Sequence, residues 1–363
     1  MIHVLHVVGA RPNFMKAAPV HAALAAGGAR QTLVHTGQHY DSAMSKVFFE
    51  ELGLPEPDVN LRVGSGSHAF QTAHVMLGLE PVVLARRPDW VLVYGDVNST
   101  AAASLVCVKL GTRVAHVEAG LRSGDRTMPE EHNRIVTDHL CDLLFTPSAD
   151  GDENLAREGI PAARVRRVGN VMIDTLARLL PRARALSPLG IGREHEPFVL
   201  VTLHRPSNVD DPRALAALLD RLEEIAGEVP IIFPVHPRTR KNLGARKFSR
   251  VRLAEPLGYL DFLALQSRAR LVITDSGGIQ EETTYLGIPC ITVRENTERP
   301  VTVSVGTNEL VGGDLGALAR AARAALEGRW KKGAIPPLWD GRTAGRIAGI
   351  LQGAGSSLVG GAA

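Results

Sequence analysis

Short apolar runs rich in β-branched residues recur along this chain, and each stops at a polar or glycine-containing turn followed by a helical stretch. In the first half the runs fall near 2–8, 32–36, 90–94, 113–117 and 143–146. In the second half they fall near 198–203, 230–235, 250–254, 271–274 and 289–293. Ala- and Leu-rich helical stretches such as 70–86, 98–109 and 213–226 lie between them. Alternation of this kind predicts parallel sheets joined by crossover helices. The runs are almost continuously apolar, as strands covered on both faces should be. At 363 residues the chain is too long for one ordinary core, so the pattern predicts two α/β domains. The stretch "PRARALSPLGIGREHEP" (181–197) reads as an irregular connection near the boundary, which falls within 165–190.

Composition narrows the function. Aromatic residues make up only 4% of the chain, too few for a base-stacking nucleic-acid binder. The net charge of +3 comes from 41 basic and 38 acidic residues with no long basic run, which argues against a polyanion track. Cys107, Cys141 and Cys290 are far apart, odd in number and set in apolar segments, the pattern of reduced packing cysteines in a cytosol. The apolar start "MIHVLHVVGARP" is too short for a membrane span and lacks a signal-peptide layout. A soluble, cytoplasmic protein with neither nucleic-acid nor membrane partners is expected.

In open α/β sheets, ligands bind outside the carboxyl ends of the strands, so the residues there are the candidates. "VVGARPNFMKAAPV" (7–20) is neither a Walker loop nor a dinucleotide fingerprint. Arg11 and Lys16 there could clamp an anion, or could simply be solvated at a helix start. Asp96 follows the strand in "VLVYGDVNST", where it or one of Asn98, Ser99 and Thr100 could cap the next helix. Glu118 follows another apolar strand, where a lone carboxylate is costly unless paired or functional. Arg122 or Arg126 could neutralise it. Thr127-Met128-Pro129-Glu130 reads as a capping box, so Glu130 could be only a cap. Yet Asp96, Glu118 and Glu130 together would suit proton abstraction and return.

In the second half, Asp211-Pro212 suffices to start the next helix, which leaves His204 without an obvious structural task. No stretch has metal-ligand spacing, and there is no serine nucleophile elbow. In "LVITDSGGIQEETTYLGIP" (271–289), Ser276 can cap a helix while Gly277 and Gly278 let a phosphate approach the backbone. A carboxylate one turn on suits ribose hydroxyls, so the stretch fits a nucleoside diphosphate. Arg299 in "RENTERP" is a further phosphate partner.

"GARPNFMK", "YGD", "HVEAGLRSGDRTMPEEHNR", "LHRPSN", "PVHPRT" and "TDSGGIQEE…RENTERP" occur in order between residue 9 and about 312. Together they resemble the non-hydrolysing UDP-N-acetylglucosamine 2-epimerases. The resemblance implies an α/β fold of two Rossmann-like parallel-sheet domains facing across a cleft, like GT-B glycosyltransferases. It implies domains at 1–168 and 169–342, a C-terminal helix about 343–353 that packs back on the first, and a flexible tail 354–363. The implied reaction interconverts UDP-GlcNAc and UDP-ManNAc through a 2-acetamidoglucal, with no cofactor and no metal. Asp96, Glu118, Glu130 and His204 match the family's catalytic positions. Arg11, Lys16, Phe262, Ser276, Gly277, Gly278, Glu282 and Arg299 match its UDP-sugar contacts. Gln38, His39, Gln71 and His236 match or adjoin an allosteric UDP-GlcNAc site found in some members, and a homodimer is implied.

There are departures. Pro206 in "HRPSN" stands where many members carry an arginine, and Leu257 where some place a uracil-binding Gln. Residues 34–55 also resemble relatives that epimerise UDP-diacetamido-glucuronate. A GT-B glycosyltransferase is the alternative on the same architecture.

Overall fold

The apolar runs become two parallel sheets in the computed structural model, which describes residues 1–37, 49–190, 197–243 and 248–356. The chain divides into two units, Met1–Thr175 with the segment from Pro337 onward, and Leu176–Pro336. Each has the Rossmann-like α/β architecture expected from the strand–helix alternation.

The first sheet comprises β1 (His3–Val8), β2 (Arg30–His35), β3 (Val59–Asn60), β4 (Trp90–Tyr94), β5 (Val114–Val117), β6 (Leu143–Thr146) and β7 (Val165–Arg167). Their order is β3-β2-β1-β4-β5-β6-β7. The second sheet comprises β8 (Val199–Thr202), β9 (Ile231–Pro234), β10 (Val251–Ala254), β11 (Leu271–Thr274), β12 (Cys290–Thr292) and β13 (Asn308–Leu310), in the order β10-β9-β8-β11-β12-β13. Both are doubly wound, and the direction of winding reverses between β1 and β4 and again between β8 and β11. The register there is in step, with Val7 beside Val93 and Thr274 beside Thr202. Reversal points of this kind open a crevice at the strands' carboxyl ends.

The central strands β4, β5, β9 and β11 are buried at every position, which is why they read as unbroken apolar runs. The short strands β3, β7 and β13 escape sequence reading because "VN", "VRR" and "NEL" include polar residues and lie at sheet edges. Helix Pro212–Ala226 shows the complementary logic. Leu215, Leu218, Leu219, Leu222 and Ile225 recur at helical spacing and are buried, while Asp211 caps the first turn by accepting N–H bonds from Arg213 and Ala214.

One expectation fails at the boundary. Residues 181–185 are helical, not irregular, because helix Val171–Ala185 runs on through Pro181. Leu179 and Ala183 are buried on either side of the proline, and that burial offsets the one backbone bond it removes. In the first unit, Asp174 accepts N–H bonds from Thr343 (3.1 Å) and Ala344 (2.7 Å), and Gln352 donates to the Gly27 carbonyl (2.9 Å). These bonds fix helix Thr343–Ser356 beside helix Arg11–Ala26.

Candidate active site

The first unit's winding reversal is stitched by Asn13. Its Oδ1 accepts the N–H groups of Gly9 and Ala10 at 3.0 Å each, and its Nδ2 donates to the Tyr94 carbonyl at 2.7 Å. Lys16, one turn further along the same helix, is 5% exposed and is not a solvated lysine. Its ammonium pairs with the carboxylate of Glu118, itself 6% exposed, so the buried acid found no partner in Arg122 or Arg126 but one 102 residues away. Glu118 has φ +75, a left-handed conformation unusual for a glutamate. A residue held in this region persists only where its surroundings over-determine it, here by burial and the Lys16 pair.

Arg122 instead serves a buried network behind the strand ends. It forks to Glu158 at 2.7 and 2.8 Å and reaches Asp138 at 2.7 Å. Asp138 also meets His116, whose other ring nitrogen meets the Gly95 carbonyl at 2.8 Å. Burial by itself would raise the Asp138 carboxyl, but His116 and Arg122 hold it below the usual range.

Asp96 does not cap the helix Asn98–Lys109, whose N-cap is Val97 with no side-chain bond. Arg134 grips Asp96 Oδ2 through Nε (3.0 Å) and Nη2 (2.7 Å). The third arm of Arg134 takes Glu131 at 2.6 Å, and Glu131 accepts the N–H groups of Ser123 (3.0 Å) and Gly124 (2.9 Å). The capping box expected at Thr127–Glu130 does not form. Thr127 bonds back to Asp125, and Met128 is the N-cap of helix Pro129–Leu140 without a side-chain bond. Glu131 is thus spent on structure. Its neighbour Glu130, partly exposed in the first turn, makes no hydrogen bond or ion pair among the described residues. A cavity of about 550 Å³ opens beside this turn, lined by His68, Met76, Thr127, His132 and Asn133 among others. None of the three carboxylates lines it.

In the second unit, His204 follows β8 and Asp275 follows β11, so the two flank the winding reversal. His204 Nδ1 lies 2.9 Å from Asp275 Oδ1. Ser276 is the N-cap residue of helix Gly277–Leu286, but its side chain makes no cap bond, contrary to expectation. The glycine after it is explained by Arg299. A Cβ at Gly277 would stand 2.4 Å from Arg299 Nη1, so only glycine lets the guanidinium lie over the helix start. Arg299 is itself anchored by Glu281 at 2.8 Å and Glu298 at 3.3 Å. Gly278 is partly buried in the first turn. Arg299 thus places a guanidinium beside the first turn of this helix.

Glu282 is buried at 3% exposure and accepts from the Tyr259 hydroxyl at 2.9 Å. Burial pushes its carboxyl up to about 7; the Tyr259 bond offsets this in part and Glu281 adds to it. Phe262, on helix Tyr259–Gln266, packs with Leu257 against the sheet's core. Arg11 is exposed as the first residue of its helix. Gln71 accepts from Asn98 (2.8 Å) and donates to the Gly64 carbonyl (3.3 Å). The His236 ring lies 5.7 Å from the His204 ring, and its Nδ1 accepts the Arg238 N–H. Gln38 and His39 lie outside the described residues. Sequence reasoning missed Asn13, Arg134, Tyr259 and Asp275. Only the placement of Asp275 at a strand end and of Arg134 one turn after Glu130 could have signalled them. Among the described residues no cluster of His, Cys, Asp and Glu has the arrangement of a metal site. No described helix is long and apolar enough to cross a membrane.

Comparison with known proteins places this geometry. The family model described as UDP-N-acetylglucosamine 2-epimerase matches residues 22–352. The UDP-N-acetylglucosamine 2-epimerase of Methanocaldococcus jannaschii is 41% identical over 360 residues, 95% of this chain and 97% of that protein. Its crystal structure in complex with UDP-GlcNAc and UDP superposes with a TM-score of 0.87, covering 97% of this chain and 99% of that one. The UDP-2,3-diacetamido-2,3-dideoxy-D-glucuronate 2-epimerase of Pseudomonas aeruginosa is 44% identical over 333 residues, 89% of this chain and 92% of that protein.

Proposed function

Since the chain belongs to the UDP-N-acetylglucosamine 2-epimerase family, we propose that it interconverts UDP-GlcNAc and UDP-ManNAc without hydrolysis. The observation that carries this reading is the trio Asp96, Glu118 and Glu130, none of which is spent on a helix cap. In the first step the C2–H and C1–O bonds break, the C1=C2 bond of a 2-acetamidoglucal forms, and UDP leaves with the electron pair. In the second, a proton returns to C2 on the opposite face and the UDP oxygen re-forms its bond to C1.

Two of the acids carry fixed cations, Lys16 on Glu118 and Arg134 on Asp96. Changing their protonation would break a buried ion pair, which is costly. Glu130 carries no such partner among the described residues, so we assign the removal of the C2 proton to it. The second unit supplies the nucleotide contacts. Gly277, Gly278 and Arg299 would hold the diphosphate, His204 would stabilise its developing charge, and Glu282 would take the ribose hydroxyls.

Proton NMR in heavy water tests the reading. UDP-GlcNAc should gain deuterium at C2 while the nucleotide sugar stays intact. Free UDP and free ManNAc as sole products would mean hydrolysis instead, and a requirement for an acceptor would mean glycosyl transfer. The 44% identity to the Pseudomonas enzyme favours a second reading, in which UDP-diacetamido-glucuronate is the substrate. Exchange rates measured on both sugars side by side decide between them. We further propose a homodimer. Helix His68–Arg86 exposes Phe70, Leu77 and Leu84 at seven-residue spacing, a stripe suited to a second copy.

A further inference from the structure

We infer that Asp275 is a positioning residue for His204, fixing the ring through Nδ1 so that Nε2 is presented outward as the working nitrogen. Nothing in the family comparison assigns this aspartate a part. It has no exposed surface, and a buried carboxylate is costly unless its oxygens are satisfied. Oδ2 is satisfied by three donors: the N–H groups of His204 (2.9 Å) and Arg205 (2.8 Å) and the Asn208 amide (3.1 Å). Oδ1 receives a longer contact from the His204 N–H (3.2 Å) and a close one from the imidazole (2.9 Å). The carboxylate is therefore tied to the backbone by one oxygen and faces the ring with the other. Burial alone would raise its pKa, but the bonds from His204, Arg205 and Asn208 outweigh that and hold it below the ordinary range.

A carboxylate accepts only, so Nδ1 must carry the proton between the two groups. The neutral imidazole is then held as the Nδ1–H tautomer with Nε2 open, and a proton on Nε2 gives an imidazolium whose charge Asp275 balances. The His204 side chain is 36% exposed although its partner is fully buried, so the ring bridges interior and solvent. Among the described residues beside the pair, the His236 Nδ1 is taken by Arg238, and Arg205 lies 4.0 Å from Glu298. What Nε2 meets rests on the UDP-sugar reading above, where it would be the leaving diphosphate; the dyad itself does not.

The test is ¹⁵N NMR of histidine-labelled full-length protein, with His204 assigned by comparison with His204→Gln. The expected spectrum shows the neutral form as Nδ1–H; an Nε2–H ring in the wild type overturns the inference. Turnover of UDP-GlcNAc provides the second arm. Asp275→Asn should lower kcat by about 10²-fold with little change in KM. In the His204→Gln background the same substitution should cost almost nothing further, since the two act as one unit. Losses that multiply would overturn the inference. If Asp275→Asn does not fold, the wild-type tautomer decides alone. If the wild type turns over no UDP-sugar, the functional reading falls while the tautomer still decides the dyad.

Discussion

If Glu282 takes ribose hydroxyls, it does so best as the ionised carboxylate, which accepts through both oxygens, and its burial makes that ionisation measurable. The carboxyl is pushed up to about 7 in the free protein, first by burial and then by the neighbouring Glu281. At pH 6 roughly one molecule in ten then carries the ionised acid, and at pH 8 roughly nine in ten. A ligand that requires the ionised form should bind about tenfold more tightly at pH 8 than at pH 6. Isothermal titration with UDP-GlcNAc reads this cleanly, because its diphosphate is esterified at both ends and has no proton to lose in that range. Glu282→Gln tests the assignment directly: it should weaken binding at pH 8 and abolish the rise with pH. A flat profile in the wild type, or an unchanged rise in the variant, would refute the ribose assignment. The same shift acts on folding. Because the folded-state value is raised, the group's contribution to stability is fully present below about pH 4.5 and is lost as pH rises through about 7. That loss amounts to about 3 kcal/mol, so Glu282→Gln should be the more stable protein in urea at pH 8 and nearly equal to wild type at pH 4.5.

Lys16→Met should destabilise the first unit by about 3–5 kcal/mol by removing the ammonium from the buried Glu118 carboxylate, and adding Glu118→Gln should recover most of it in urea unfolding. Glu130→Gln should abolish C2 deuterium exchange while leaving UDP affinity and melting temperature near wild type, since that side chain makes no bond among the described residues. Gly120→Ala should lower the melting temperature, because its φ is +82 and a Cβ would lie 2.5 Å from the Gly151 carbonyl oxygen. The cost should be about 3 kcal/mol, combining left-handed strain with a backbone collision. Leu77→Asp, placing a charge in the exposed stripe of its helix, should shift sedimentation from dimer to monomer without loss of helicity.

Period and punctuation in the sequence were enough to determine the two parallel sheets, the central strands within a residue or so, and the strand-end positions of Asp96, Glu118, His204 and Ser276. They sufficed because a strand buried on both faces must be apolar throughout, and the first polar residue after it necessarily lies at a carboxyl end. The edge strands β3, β7 and β13 left no such mark, since an edge need not be apolar. What the tertiary structure alone decided is which charge meets which. Sequence proximity offered Arg122 or Arg126 to Glu118, but the fold gave it Lys16 and sent Arg122 to Asp138 and Glu158. It likewise brought Arg134 to Asp96 across 38 residues, and it set Asp275 behind His204 across 71 residues. Ion pairing depends on distances of a few ångströms between side chains that only the winding of the sheets brings together. No spacing along the chain encodes them.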